Sequence, residues 1–368
     1  MKIGWVTTLS LGMPASGCEV KGSAEPTESD AAVALDADSR SESGQMAEAD
    51  IEPSVRVTIL ASGTGTPAGL AVGGGNAYFL EGSGGPFPPG GAPPGGGLYW
   101  VPTSGESEGG ALLPDFVDAA SSEFRGPFGL AMDDANLYWA NEGSQGHLSG
   151  VPDGSVLEGG IRRVSRDGGV STLLASGIAT GGVALDESAV YWIQSSESDG
   201  SIADGALMKV AKTGGPVVTL APGVVSSAIA VDDKSAYVMM QKGIVKVDKT
   251  SGSVTVLASR QNPWGVLAVN ATSVYWTELT VGVGPVQKIY SVPLSGGTAE
   301  VLSDTDGSPS CIAVDDTNIY WTTDRAVQKM GLGGGPAVTL ASASGGASLI
   351  SVDSTSVYWV DMGGLGSS

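Results

Sequence analysis

The 368 residues include 57 glycines, 20 prolines, 6% aromatics and a single histidine, with a formal net charge of −21. Nucleic acid is a poor partner for such a chain, because phosphate binding requires clustered Lys and Arg. No apolar run approaches the roughly 20 residues that a membrane-crossing helix needs, and the two cysteines, Cys18 and Cys311, stand too far apart for a CxxC metal or redox motif.

The first stretch, MKIGWVTTLSLGMPASGC, has Lys2, a short apolar run and small residues ahead of Cys18. It resembles a bacterial lipoprotein signal, in which the cysteine becomes the lipidated first residue after cleavage. The resemblance implies a leader over 1–18, lipidation at Cys18, and an exported protein that is a cell-envelope lipoprotein or is secreted. Its one membrane contact would be that lipid. An ordinary secretory leader is the alternative.

Residues 19–54 are rich in Ala, Ser and acids and hold no aromatic residue. Such a composition cannot bury enough surface to offset the entropy of ordering it, so a disordered, self-repelling acidic tether is expected.

From 55 to 368 the chain repeats one phrase. GLAVGGGNAYF, GLAMDDANLYW, GVALDESAVYW, AIAVDDKSAYV, VLAVNATSVYW, CIAVDDTNIYW and LISVDSTSVYW place their tyrosines at 78, 138, 191, 237, 275, 320 and 358. The closest spacing is 38 residues, from Tyr237 to Tyr275 and again from Tyr320 to Tyr358, with insertions lengthening the others, and a unit near forty residues made of short strands is the mark of a propeller blade. In the sixth copy the strands read CIAV (A), IYWTT (B), AVQKM (C) and AVTLA (D). Adjacent Tyr320 and Trp321 point to opposite faces of strand B. Both find cover only if sheets pack on each of its sides, as the blades of a ring do. Gly, Ala, Ser and Val in strand A suit the crowded axis.

The expected fold is therefore an all-β β-propeller of seven four-stranded blades, with six as the runner-up. VRVTILAS, before the first strand A, would complete the last blade and remove an exposed edge. That blade shows no strand C of its own.

YWTE, YWTTD and YWVD resemble the YWTD repeats of low-density-lipoprotein-receptor-type propellers, and equally the NHL and TolB-type bacterial propellers. The resemblance spans nearly all of 55–362 and concerns architecture. YWTD rings have six blades, whereas seven repeats are counted here.

Propeller topology puts the B–C and D–A loops on one face. Insertions gather there, at 81–97, 141–160, 195–206 and 115–128, and recognition commonly resides in such loops. Just ahead of the strands A, Arg125, Phe128 and Trp264 stand out among small residues as a candidate binding set for a protein or carbohydrate ligand. A hydrophobic plug for the channel is the competing role. Asp133, Asp186, Asp232, Asp315 and Asp353 recur at one repeat position and read as turn formers. Glu81, Glu142, Glu278, Asp324 and Asp361 follow strand B. They offer calcium a weak possibility, but lie on different blades.

His147 sits in a Gly-rich insertion, so no His-based catalytic set can be assembled. The preferred function is a non-catalytic, monomeric surface or envelope binding propeller without cofactor. The alternatives are a propeller enzyme, either calcium-dependent lactonase-like or lyase-like, and a structural envelope protein.

Overall fold

The computed structural model describes residues 3–8, 57–63, 66–82, 97–105, 109–113, 127–141, 159–177, 179–194, 205–259, 265–280, 286–305, 307–343 and 345–361. The two earliest strands are β1 (Ile3–Thr8) and β2 (Val57–Gly63). One four-stranded sheet follows from β3 (Thr66–Gly73), β4 (Asn76–Gly82), β5 (Gly97–Pro102) and β6 (Gly110–Leu113), and a second from β7 (Pro127–Met132), β8 (Asn136–Asn141), β9 (Gly160–Ser165) and β10 (Thr172–Ser176).

A seven-stranded sheet then runs through β11 (Ala179–Leu185), β12 (Ala189–Gln194), β13 (Gly205–Ala211), β14 (Val218–Val231), β15 (Ser235–Met240), β16 (Gly243–Asp248) and β17 (Val254–Ala258). Next come β18 (Leu267–Val269), β19 (Ser273–Thr280), β20 (Val286–Pro293) and β21 (Glu300–Asp304) in one sheet. β22 (Cys311–Val314), β23 (Asn318–Thr322), β24 (Ala326–Gly331) and β25 (Val338–Ser342) form another. The last sheet holds β26 (Ala347–Val352) and β27 (Val357–Asp361), with β1 and β2 beyond them in the order β26-β27-β1-β2. All pairings are antiparallel.

The arrangement is all-β and propeller-like. Strands β3, β7, β11, β14, β18, β22 and β26 contact one another in that order, and β26 returns to β3. The long β14 serves twice. Its first half is the outer partner of β13 and its second half pairs with β15, so it fuses two repeats into one sheet.

The Tyr–Trp neighbours explain the stacking. Tyr78 shares an apolar cluster with Trp139 of the next sheet, Tyr138 with Trp192, and Tyr191 with Val238. Tyr237 meets Trp276, Tyr275 meets Trp321, Tyr320 meets Trp359, and Tyr358 meets Phe79 to close the circuit. Alternation along strand B thus sends the tyrosine forward and the indole backward, and neither faces water. Opposite the tyrosines the inner strands carry Ala71, Ala131, Ala184, Ala230, Ala268, Ala313 and Ser351. A larger residue there would compete for the same space near the axis.

The third strand that the last repeat lacks is supplied by β1, between β27 and β2. Thr8 pairs with Val357 and Trp5 with Val360 on one side, and Thr8 with Val57 on the other. The sequence reading places these residues in a leader. The VTILAS part of VRVTILAS takes the outer position, in β2.

Inner strand β26 contains a bulge between Ser348 and Ile350, and the residue within it, Leu349, has φ +42°. The corresponding bulge in β7 holds Gly129 at φ +56°. A Cβ-bearing residue in this region costs about 1–2 kcal/mol. Leu349→Gly is therefore expected to change stability by less than about 1 kcal/mol, relief of strain offsetting lost contact and added chain freedom. Ile350→Ala next to it, fully buried, should cost about 2–4 kcal/mol. Denaturant midpoints of the two variants check the contrast.

Candidate functional site

Antiparallel order places the ends of the second strands and the starts of the inner strands on one face. There the long connections 83–96, 142–158 and 195–204 leave β4, β8 and β12, in three consecutive repeats. The corresponding connection after β15 is only Gln241 and Lys242, and that after β23 is 323–325. Thr323 fastens the latter, its Oγ1 accepting from the N–H groups of Arg325 at 3.2 Å and Ala326 at 3.0 Å.

Beneath the long connections the inner strands approach closely. A Cβ on Gly69 would lie 2.8 Å from Cβ of Leu130. One on Gly129 would lie 2.9 Å from the Val183 nitrogen, and one on Gly182 3.0 Å from the Ser227 carbonyl oxygen. β3, β7, β11 and β14 therefore meet backbone to backbone. This makes a stiff arc under the part of the face that carries the insertions.

Burial raises the pKa of the Glu81 carboxyl. Glu278 is buried and accepts from Trp276 Nε1 at 3.5 Å, while Asp361 Oδ1 accepts from the Gly345 N–H at 3.2 Å. Asp324 is exposed, 3.7 Å from Arg325. Among the described residues no three His, Cys, Asp or Glu side chains come together. At the start of the inner strands, Ser226 Oγ donates to the Gly265 carbonyl at 3.3 Å and accepts from the Ala228 N–H at 3.2 Å, linking β14 to the segment before β18.

Of the residues singled out in the sequence, Phe128 has its backbone in β7, paired with Ala140. Arg125, Trp264, Cys18, His147 and Glu142 lie outside the described residues.

The opposite face is a polar clasp. Asp133, Asp186, Asp232 and Asp315 each accept through Oδ1 from the backbone N–H groups two and three residues on, and through Oδ2 from the tyrosine hydroxyl five residues on. Asp353 accepts likewise from the Thr355 N–H and the Tyr358 hydroxyl. The turn role read from the sequence is what these bonds perform.

Cations from the next repeat complete the clasp, and sequence reasoning missed them. Lys212 reaches Asp133 at 2.8 Å, and Lys249 reaches Asp186 at 2.9 Å. In the first repeat Gly73 stands where an Asp recurs. There Arg166 donates to the Gly73 carbonyl at 2.8 Å and to the Tyr78 hydroxyl at 3.1 Å. In return, Arg163 donates to the Lys212 carbonyl and Lys209 to the Lys249 carbonyl, at 2.8 and 3.1 Å. The available signal was a cation just ahead of each turn, in SRDGG, AKTGG and VDKTSG.

Burial pushes the Asp133 and Asp186 carboxyls up, but the bonds from lysine, tyrosine and backbone outweigh it and both stay below the usual value. Burial and the adjacent aspartates hold the hydroxyls of Tyr138, Tyr191 and Tyr237 above theirs.

No sequence family matches the chain, and no curated protein does. Solved structures do match. An oligogalacturonate lyase from Vibrio parahaemolyticus aligns with TM-score 0.50 at 10% identity, over 78% of this chain and 86% of that one. TolB from Acinetobacter baumannii aligns with TM-score 0.44 at 13% identity, over 78% and 64%. A nidogen/laminin complex aligns with TM-score 0.47 at 18% identity, over 70% and 90%. These neighbours are β-propeller proteins, and the likeness concerns the fold.

Proposed function

We propose that this chain is an exported, non-catalytic binding propeller of seven blades that captures a protein or carbohydrate ligand with its loop-bearing face. The blade count treats the seven-stranded sheet as two blades sharing β14, each with its own inner strand. Export rests on the acidic balance of the chain, which suits an exposed, self-repelling surface.

One observation carries the binding reading. The three long connections leave consecutive repeats on the same face, and they stand on the arc where Gly69, Gly129 and Gly182 lock the inner strands together. Recognition loops work best when a rigid scaffold fixes their spacing. Arg125 and Trp264 fall in the sequence between strands that meet on this face and Phe128 stands at the start of β7; together they would supply a cation and two aromatic surfaces.

The test replaces 83–96, 142–158 and 195–204, one at a time, with short Asn-Gly turns and measures capture on arrays of envelope polysaccharides and peptides. At least one replacement should lower capture ten-fold or more while leaving the melting temperature within about 3 °C of wild type, since loop length itself costs little. A triple Arg125→Ala, Phe128→Ala, Trp264→Ala variant should do the same. Capture that survives all four changes would remove the loop-bearing face from consideration.

A further inference from the structure

Two sheets carry the same aromatic pair and acid at the same repeat position. In the sheet β18–β21, Trp276 of β19 and Tyr290 of β20 stand opposite each other and stack, ring centres 5.4 Å apart at 15°. Glu278, two residues beyond Trp276 and so on the same face, is buried and accepts from the Trp276 Nε1–H at 3.5 Å. Opposite Glu278 stands Lys288, whose ammonium bonds Asp304.

In the sheet β3–β6, Phe79 of β4 and Tyr99 of β5 stack in the same way, 5.6 Å apart at 19°, and Glu81 follows Phe79 on the same face. The polar complement has gone. A phenyl ring has no N–H to give, and Gly97 stands opposite Glu81 where Lys288 stands opposite Glu278. The Tyr99 ring leans over that glycine, since a Cβ on Gly97 would meet its Cε2, Cζ and hydroxyl oxygen at 2.7 Å. Phe79, Glu81 and Tyr99 are each half-buried. Among the described residues no hydrogen bond or ion pair reaches the Glu81 carboxyl, and burial alone raises its pKa. A carboxylate partly withdrawn from water without a partner is costly.

Elsewhere the chain shows what a tyrosine beside a carboxylate takes. On the opposite face Lys212 bonds Asp133 at 2.8 Å and lies 5.6 Å from the centre of the Tyr138 ring. Lys249 bonds Asp186 at 2.9 Å and lies 4.9 Å from the centre of the Tyr191 ring. Each ammonium is held by the carboxylate and drawn to the ring.

We propose that Glu81 and Tyr99, at the foot of the connection 83–96, form a subsite for the ammonium of a lysine side chain on a protein ligand. This rests on the reading of the loop-bearing face as a binding face and chooses protein over carbohydrate within it. Glu81 supplies the ion pair and Tyr99 the ring. Gly97 gives that ring its place beside the carboxyl, and Phe79 backs it, so little side-chain freedom remains to be lost on binding. A sugar hydroxyl would leave the charge of a half-buried carboxylate unanswered, whereas an ammonium neutralises it. The net charge of −21 draws cationic partners towards the surface, and the subsite selects among them.

The test titrates the full chain with a fluorescent peptide holding three lysines spaced by glycines, with its Nε-acetylated counterpart and with cadaverine. Salt at about 0.15 M screens long-range attraction. Wild type should bind the lysine peptide, and acetylation should abolish binding. Glu81→Gln should weaken binding about ten-fold or more, and Tyr99→Leu about three-fold or more, with melting temperatures within about 3 °C of wild type. Asp134→Asn removes the same charge from an exposed turn on the opposite face and should change affinity less than about two-fold. Equal losses in Glu81→Gln and Asp134→Asn would reduce the effect to net charge and overturn the proposal. Undiminished binding of the acetylated peptide would do so too, and cadaverine binding as tightly as the peptide would overturn the choice of a protein ligand. If the lysine peptide failed to bind while the loop replacements still lowered capture of another ligand, this subsite would fall and the binding face would stand.

Discussion

Trp321→Ala is expected to destabilise the protein by about 3–5 kcal/mol. The indole is fully buried, in the cluster that joins Tyr275 of one sheet to Ile312, Val314 and Met330 of the next. Removing it opens a cavity between two sheets that are each pinned by further neighbours, so collapse into the space is limited. Its Nε1 donates to Gln328 Oε1 at 3.0 Å in a buried pair. Truncation therefore leaves a buried amide oxygen without that donor. Trp321→Phe should cost less than Trp321→Ala by keeping most of the apolar volume, and Trp321→Phe with Gln328→Leu should recover part of the remainder by removing the orphaned acceptor. Chemical denaturation of the three variants measures the series. If Trp321→Ala cost under 1 kcal/mol, the indole would not be packed between sheets.

The repeat was legible because its cause is local. A tyrosine and a tryptophan side by side on a short strand demand cover on both faces, and only sheets stacked on each side provide it. The Asp turn was equally plain, since Asp133 and Asp186 bond to backbone two and three residues away. What the sequence obscured arises from contacts distant along the chain. Lys249 and Asp186 are 63 residues apart, and nothing near either residue names the other. The pairing of Ile3–Thr8 was hidden for a different reason. A short apolar run looks the same whether it is the core of a leader or a strand paired on both edges. The partners Val360 of Trp5 and Val357 of Thr8 lie about 350 residues away along the chain. The candidate set Arg125, Phe128 and Trp264 was chosen by residue type alone, and backbone position does not tell a ligand-facing aromatic from a channel plug.

Lys249→Met should cost about 2–4 kcal/mol, because it withdraws a buried ammonium from a carboxylate that stays behind. Lys249 is 5% exposed. Besides Asp186 it donates to the Asp232 carbonyl, and it lies 4.9 Å from the centre of the Tyr191 ring. One side chain thus joins two repeats through a salt bridge, a backbone bond and a cation–π contact. The loss should depend on pH in a defined direction. Asp186 has a lowered pKa in the folded chain, so its contribution is complete above the ordinary value of 3.8 and disappears as pH falls through the depressed one. The gap between wild type and Lys249→Met should accordingly narrow in acid below about pH 4, as Asp186 loses the charge that the ammonium serves. At the alkaline end the sign reverses. The hydroxyls of Tyr138, Tyr191 and Tyr237 have raised pKa values when folded, so their contribution is complete below the ordinary value of 10.0 and is lost as pH climbs beyond it. Urea midpoints recorded across pH for wild type, Lys249→Met and the exposed control Lys242→Met check both limbs. A variant gap that stayed constant from pH 7 to pH 2 would mean that the lysine stabilises the ring by packing rather than by its charge.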